Sequence, residues 1–276
     1  MTTPWIYTDK NVTIDQLVNT LGVKDHNSRR LVVIFDVDGT LSNSPARRIV
    51  MEYSIEHGND DFGWVVFNFL KRVMGGESVE SEIWKSFIHT GRIEDPIVQK
   101  YIQSHYTPKK IRDEVYQELI PFLDSFPAGT SKIIVSRING LIAEAYKIGL
   151  GFDEKFVQEF DKARVVVRYL KENPQIHNAV IFGDTKEDRL MGEVAKRELG
   201  DNKVLSICVT PLEFDQVHRY TTQRKFPPGL KPGFDVYIGN RHYGGAVALK
   251  HEVANFMRTE IDTEVSRFIG NVKTIN

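Results

Sequence analysis

Leu31-Val32-Val33-Ile34-Phe35-Asp36-Val37-Asp38-Gly39-Thr40-Leu41 is the stretch that decides the fold. Leu31 to Phe35 are consecutively apolar and mostly β-branched, which reads as a strand covered on both faces, the habit of a parallel sheet. Two aspartates follow at once. An α/β sheet opens its ligand crevice at the carboxyl ends of its strands, and carboxylates there are too costly to bury unpaired. A hard divalent cation is the economical partner. Gly39 permits a tight turn and lets backbone N–H groups approach an anion.

Working outward, similar runs recur at Lys132 to Val135, Ala179 to Phe182 and Val204 to Val209, with a shorter one at Phe234 to Ile238. Helical patterns separate most of them. Leu141, Ile142, Ala145 and Tyr146 form one, stopping near Gly149; Val166, Val167 and Leu170 form another, with Pro174 beyond. Leu190, Met191, Val194, Ala195 and Leu199 form a third, ended by Gly200. The alternation predicts an α/β fold: a Rossmann-like, mostly parallel sheet with helices on both faces and right-handed crossovers.

Residues 46–120 have a different texture. They carry no β alternation but helical blocks at about Ala46–Glu56, Phe62–Met74, Val79–Ile88, Pro96–Ser104 and Lys109–Ile120, punctuated by Gly75-Gly76, Gly91 and Pro121. This predicts a smaller all-helical cap at 46–121, inserted into a discontinuous core formed by 1–45 and 122–276. A closing helix is expected at about Ala246 to Arg258.

The composition narrows the function classes. Over 276 residues, 36 basic and 37 acidic side chains leave a net charge of -1. That balance argues against broad electrostatic capture of nucleic acid or acidic membrane. Arg219, Tyr220, Arg224, Lys225 and Phe226 read either as a local basic–aromatic surface for nucleic acid or as a solvated loop stiffened by Pro227, Pro228 and Pro232. The lone Cys208, inside an apolar run, reads as a buried filler. Met1 to Lys10 lacks a basic start followed by an apolar run, and no stretch of about 18 apolar residues occurs. A cytoplasmic protein is the expectation.

A second acidic cluster, Gly183-Asp184-Thr185-Lys186-Glu187-Asp188, follows the strand at Val180-Ile181-Phe182. Two readings stand for it: metal ligands, or a helix cap with Asp184 or Thr185 as N-cap and Asp188 favouring the dipole. Ser136, at another strand end, is either an oxyanion donor or a cap for the helix near Asn139. Lys162 opens a helix with Asp161 as its cap; Lys155 is the competing lysine.

These residues resemble the signature motifs of the haloacid dehalogenase-like hydrolase superfamily, in the expected order: Asp36-Val37-Asp38-Gly39-Thr40, then Ser136, then Lys162, then Gly183-Asp184-Thr185-Lys186-Glu187-Asp188. The framework spans roughly Leu31 to Val209. The resemblance implies that Asp36 is a nucleophile forming an aspartyl-phosphate and Asp38 a general acid and then base. It implies that Thr40 and Ser136 hold phosphoryl oxygens and that Lys162 neutralises them. Mg²⁺ would be held by Asp36, the backbone carbonyl of Asp38 and Asp184, with Asp188 bound directly or through water. Asp38 argues against dehalogenation, since that branch generally lacks it. The helical insert resembles the cap of one major branch, and cap candidates for substrate contact are Arg47, Arg48, Tyr53, Trp64, Asn68 and Lys71. The expected activity is phosphatase action on a small phosphorylated metabolite. A phosphotransferase or mutase, a nucleic-acid end phosphatase and a non-catalytic binding module are the alternatives.

Overall fold

The computed structural model describes residues 5–7, 14–20, 30–42, 96–116, 118–157, 161–210, 233–240, 243 and 248–252. The blocks at 46–56, 62–74 and 79–88, the cap candidates Arg47, Arg48, Tyr53, Trp64, Asn68 and Lys71, and the basic segment 219–225 lie outside the described residues.

An eight-stranded sheet forms the centre. Its strands are β1 (Trp5–Tyr7), β2 (Leu31–Phe35), β3 (Ser131–Ser136), β4 (Glu154–Val157), β5 (Asn178–Gly183), β6 (Val204–Thr210), β7 (Val236–Gly239) and β8 (Ala248–Lys250). They lie in the order β1-β8-β7-β6-β5-β2-β3-β4. From β7 to β4 every pairing is parallel, while β8 and β1 add antiparallel pairings at one side. The chain runs outward from β2 through β3 to β4, then returns to lay β5 on the other side of β2. That reversal makes the carboxyl end of β2 a topological switch point, where open α/β sheets bind ligands.

Strict alternation along β2 divides the core. Leu31, Val33 and Phe35 join one buried cluster, Val32 and Ile34 the other. The second cluster is closed by α6 (Lys162–Glu172) and α7 (Lys186–Leu199) through Val165, Val166, Tyr169, Leu170, Met191 and Ala195. Full burial of each large apolar side chain contributes about 1.5–3 kcal/mol. The first cluster is closed by α1 (Ile14–Thr20), α2 (Pro96–His105), α3 (Pro108–Glu114), α4 (Leu119–Ser125) and α5 (Gly140–Leu150). Helices therefore cover both sheet faces, as the pattern predicts.

The structure corrects the expectation in four places. Residues 248–250, expected to be helical, pair with β7 and β1 as a strand. The single block at Lys109–Ile120 is two helices, broken between Glu114 and Leu119. Pro121 lies in the first turn of α4 instead of ending a helix, a position where its missing N–H forfeits no helical bond. Strand β4 went unforeseen because Glu154-Lys155-Phe156-Val157 carries two charges and forms a partly exposed edge. Cys208 sits buried in β6, as its run implies. Among the described residues, no helix is long and apolar enough to cross a membrane.

Candidate active site

Three loops converge at the switch point. Asp36 follows β2 and is 4% exposed; its N–H donates to Phe182 O on β5 at 3.1 Å. Asp184 follows β5, and Asp188 lies in the first turn of α7, fully buried. One carboxylate oxygen from each of Asp36, Asp184 and Asp188 falls within 4.8 Å of the others, which makes a candidate metal site.

Lys162, the first residue of α6, reaches into this cluster although Asp161 caps that helix through Arg164 N. Its ammonium lies 3.0 Å from Asp36 Oδ2 and 2.7 Å from Asp188 Oδ1, and the residue is 4% exposed. Lys155 turns elsewhere, donating to Gly140 O at 2.7 Å and pairing with Glu144 at 2.8 Å. Of the two competing lysines, the geometry brings only Lys162 to Asp36.

One buried cation facing two buried carboxylates leaves excess negative charge. Burial, opposed by Lys162 and reinforced by Asp188, pushes the Asp36 carboxyl up to about 6. Burial alone would lower the Lys162 ammonium, but Asp188 and Asp36 together raise it above its ordinary value. Burial is the chief cause of the first shift and the paired carboxylates of the second, and both go with a cluster in which carboxylates outnumber the ammonium. A divalent cation would add positive charge there. The donor set fits such an ion, being all carboxylate oxygen, and Asp36 Oδ1 is buried without a hydrogen-bond partner.

In the second cluster the capping reading holds, and Asp188 also belongs to the candidate metal site. Its Oδ2 accepts from Asp184 N (3.1 Å), Thr185 N (2.9 Å) and Thr185 Oγ1 (2.7 Å), while Asp188 N donates back to Thr185 Oγ1. Thr185 is thus the N-cap in a reciprocal capping box. The same carboxylate caps α7 and holds Lys162. Ser136 is buried at the end of β3, and its hydroxyl accepts from Ile138 N at 3.3 Å. It does not cap α5; Asn139 does, through Leu141 N at 2.8 Å. Asp38 is bridged to Ser42 within the tight loop, and Thr40 Oγ1 is buried without a hydrogen-bond partner.

Two glycines let these loops close. Gly39 has φ +77°, and a Cβ there would stand 2.4 Å from Asp184 Oδ2. A Cβ on Gly183 would stand 2.2 Å from Asp188 Cβ. Gly39→Ala is therefore expected to combine backbone strain with displacement of Asp184, destabilising by about 1–3 kcal/mol. Divalent-ion affinity should fall as well, and unchanged Mg²⁺ binding by calorimetry would count against this placement.

Sequence reasoning missed several groups around the site. Half-buried Tyr116 hydrogen-bonds Asn240, and its phenol is raised by burial and then by the charges of Asp184 and Asp38. Tyr146 meets Ser42, and Tyr243 donates to Thr40 O. Tyr146 is legible only as part of an apolar stripe, and Tyr243 stands in no periodic pattern.

No family model matches this sequence, and no curated protein does. Solved structures do resemble it. One, described as a haloacid dehalogenase-like hydrolase from Burkholderia xenovorans LB400, is 13% identical and covers 72% of this chain and 92% of its own, with TM-score 0.46. Cytosolic 5′-nucleotidase IIIB bound to cytidine is 10% identical over 95% of this chain and 96% of its own, with TM-score 0.49. A haloacid dehalogenase superfamily hydrolase of subfamily IA from Geobacter sulfurreducens PCA is 13% identical over 67% and 90%, with TM-score 0.39. Likenesses this distant carry nothing about substrate. The strand order, the motif residues placed at the ends of β2, β3 and β5 and the start of α6, the convergence of Asp36, Asp184 and Asp188, and the contact of Lys162 with Asp36 and Asp188 together give this chain the haloacid dehalogenase-like hydrolase fold.

Proposed function

We propose that this chain hydrolyses a small organic phosphate monoester with the help of Mg²⁺, attacking phosphorus with Asp36. The observation that carries the reading is the state of the Asp36 carboxylate: one oxygen lies 3.0 Å from Lys162, while the other is buried with no hydrogen-bond partner.

In the first step an Asp36 oxygen bonds to phosphorus and the ester P–O bond breaks, the leaving oxygen taking a proton from Asp38. In the second, Asp38 takes a proton from water, which attacks phosphorus and releases phosphate from Asp36. Lys162 favours the ionised nucleophile and offsets charge on the transferring group. The hydroxyls of Thr40 and Ser136 would donate to phosphoryl oxygens. Asp36, Asp184 and the carbonyl of Asp38 would hold the metal, with Asp188 behind them; when bound it relieves repulsion between carboxylate and phosphate. Splitting one displacement into two easier ones is the advantage of the covalent route.

The cap assigned to 46–121 and a cytoplasmic site of action belong to the same proposal. Purified protein with Mg²⁺ is expected to release inorganic phosphate from at least one member of a broad monoester panel. Release should stop with EDTA and return with added Mg²⁺. Silence across the panel from folded, magnesium-loaded protein would overturn the reading.

A further inference from the structure

We infer that Tyr146 and Tyr243 are positioning residues that hold the loop carrying Asp38 and Thr40, an assignment that rests on the phosphatase reading above. Three consecutive residues of this loop are tied by three tyrosines from distant parts of the chain. The Tyr243 hydroxyl donates to Thr40 O. The Tyr116 N–H donates to Leu41 O at 3.2 Å. The Tyr146 hydroxyl, from α5, shares a hydrogen bond with Ser42 Oγ.

The loop closes on itself as well. Gly39 N donates to Ser42 O at 2.9 Å, and Asp38 bridges to Ser42. Fixing Ser42 therefore fixes the far side of the turn that presents Asp38. Fixing the Thr40 carbonyl fixes the peptide beside the Thr40 hydroxyl. Each anchor is rigid for a stated reason. Tyr146 and Tyr243 are both fully buried. The Tyr243 ring packs against Phe122 at 5.5 Å, Phe182 at 5.9 Å and Tyr116 at 6.4 Å between centroids. Burial raises both phenols above their ordinary value, so each hydroxyl keeps its proton at working pH. Neither hydroxyl belongs to the acidic cluster; each acts through the loop. A displacement of about 1 Å in catalytic groups can lower turnover roughly a hundredfold, so losing one anchor should slow chemistry more than it weakens binding.

The test replaces each hydroxyl while keeping the ring. With p-nitrophenyl phosphate and Mg²⁺, Tyr243→Phe and Tyr146→Phe are each expected to lower kcat roughly tenfold or more while KM changes less than about twofold. Ser42→Ala cuts the Tyr146 bond from the loop side and should reproduce its defect. Tyr169→Phe, at a buried tyrosine that hydrogen-bonds Ser131, removes a hydroxyl remote from the loop and should leave kcat unchanged. A lower Tm with full kcat in both loop-facing variants would reduce the tyrosines to packing and overturn the inference. Hydrogen exchange separates this idea from the phosphatase reading. Faster exchange at the amides of residues 39–42, with β2 and β5 still protected, supports the anchoring even if wild type proves inactive; unchanged exchange there overturns it.

Discussion

Asp36→Asn is expected to lower phosphate release roughly a thousandfold or more, because an amide cannot form the covalent intermediate. The same substitution should stabilise the metal-free protein at pH 8. The ordinary carboxyl value of 3.8 is pushed up to about 6 on folding, chiefly by burial. A raised folded value means that the contribution of Asp36 to stability is fully present below about 4 and is lost as pH rises through about 6. The displacement converts to roughly 3 kcal/mol at most. Wild type and variant should therefore melt alike near pH 4 and separate toward pH 8, the variant being the more stable. Added Mg²⁺ should close the gap by stabilising the wild type alone. Melting curves across pH, with and without metal, read both effects. Wild-type turnover in the variant would remove Asp36 as nucleophile, and a variant less stable than wild type at pH 8 would refute the charge-deficit account.

Lys162→Met should give the largest loss of stability. Removing one partner of a buried ion pair leaves uncompensated charge and typically costs about 3–5 kcal/mol. Here the orphans would be two carboxylates, Asp36 and Asp188, both within hydrogen-bond range of the missing ammonium. The loss should be greatest above pH 6, where Asp36 is ionised, and smaller near pH 5, where a proton relieves the repulsion. Lys162 itself stays charged throughout this range, since its value is raised. Turnover should fall roughly a hundredfold or more. Urea unfolding at the two pH values decides it: equal stability of variant and wild type at pH 8 would mean that the ammonium is not the counter-charge of this cluster.

Much of this was written locally in the sequence. The run Leu31–Phe35 with its trailing aspartates announces a buried parallel strand and a polar end, because a strand covered on both faces can hold no alternation. Val204–Thr210 is legible for the same reason, buried along its length. Gly183–Asp188 is ambiguous from sequence because a carboxylate that caps a helix and one that faces a charged cluster look alike there, and Asp188 does both. The sequence favours Lys162 over Lys155 only because it opens a helix; tertiary geometry decides between them, since Lys162 starts α6 and reaches Asp36 while Lys155 lies in β4 and pairs with Glu144. The tyrosine anchors were illegible for a related reason: their partners lie 104 and 203 residues away, and one is a backbone carbonyl, which leaves no trace in residue identity. The edge strand β4 is hard to read because burial there is partial and the apolar pattern correspondingly thin, and β8, between β1 and β7, is only three residues long, too short to show a pattern.

Asp188 joins the front of α7 to the front of α6 through Lys162, and Asp235 ties the rear of α7 to the sheet, accepting from Lys196 at 2.5 Å and from Ser206 N at 2.9 Å. Helix α7 is thus pinned at both ends and cannot swing, tilt or slide without breaking charged contacts. Whatever opening a turnover cycle demands must be delivered by other segments moving against this stationary anvil.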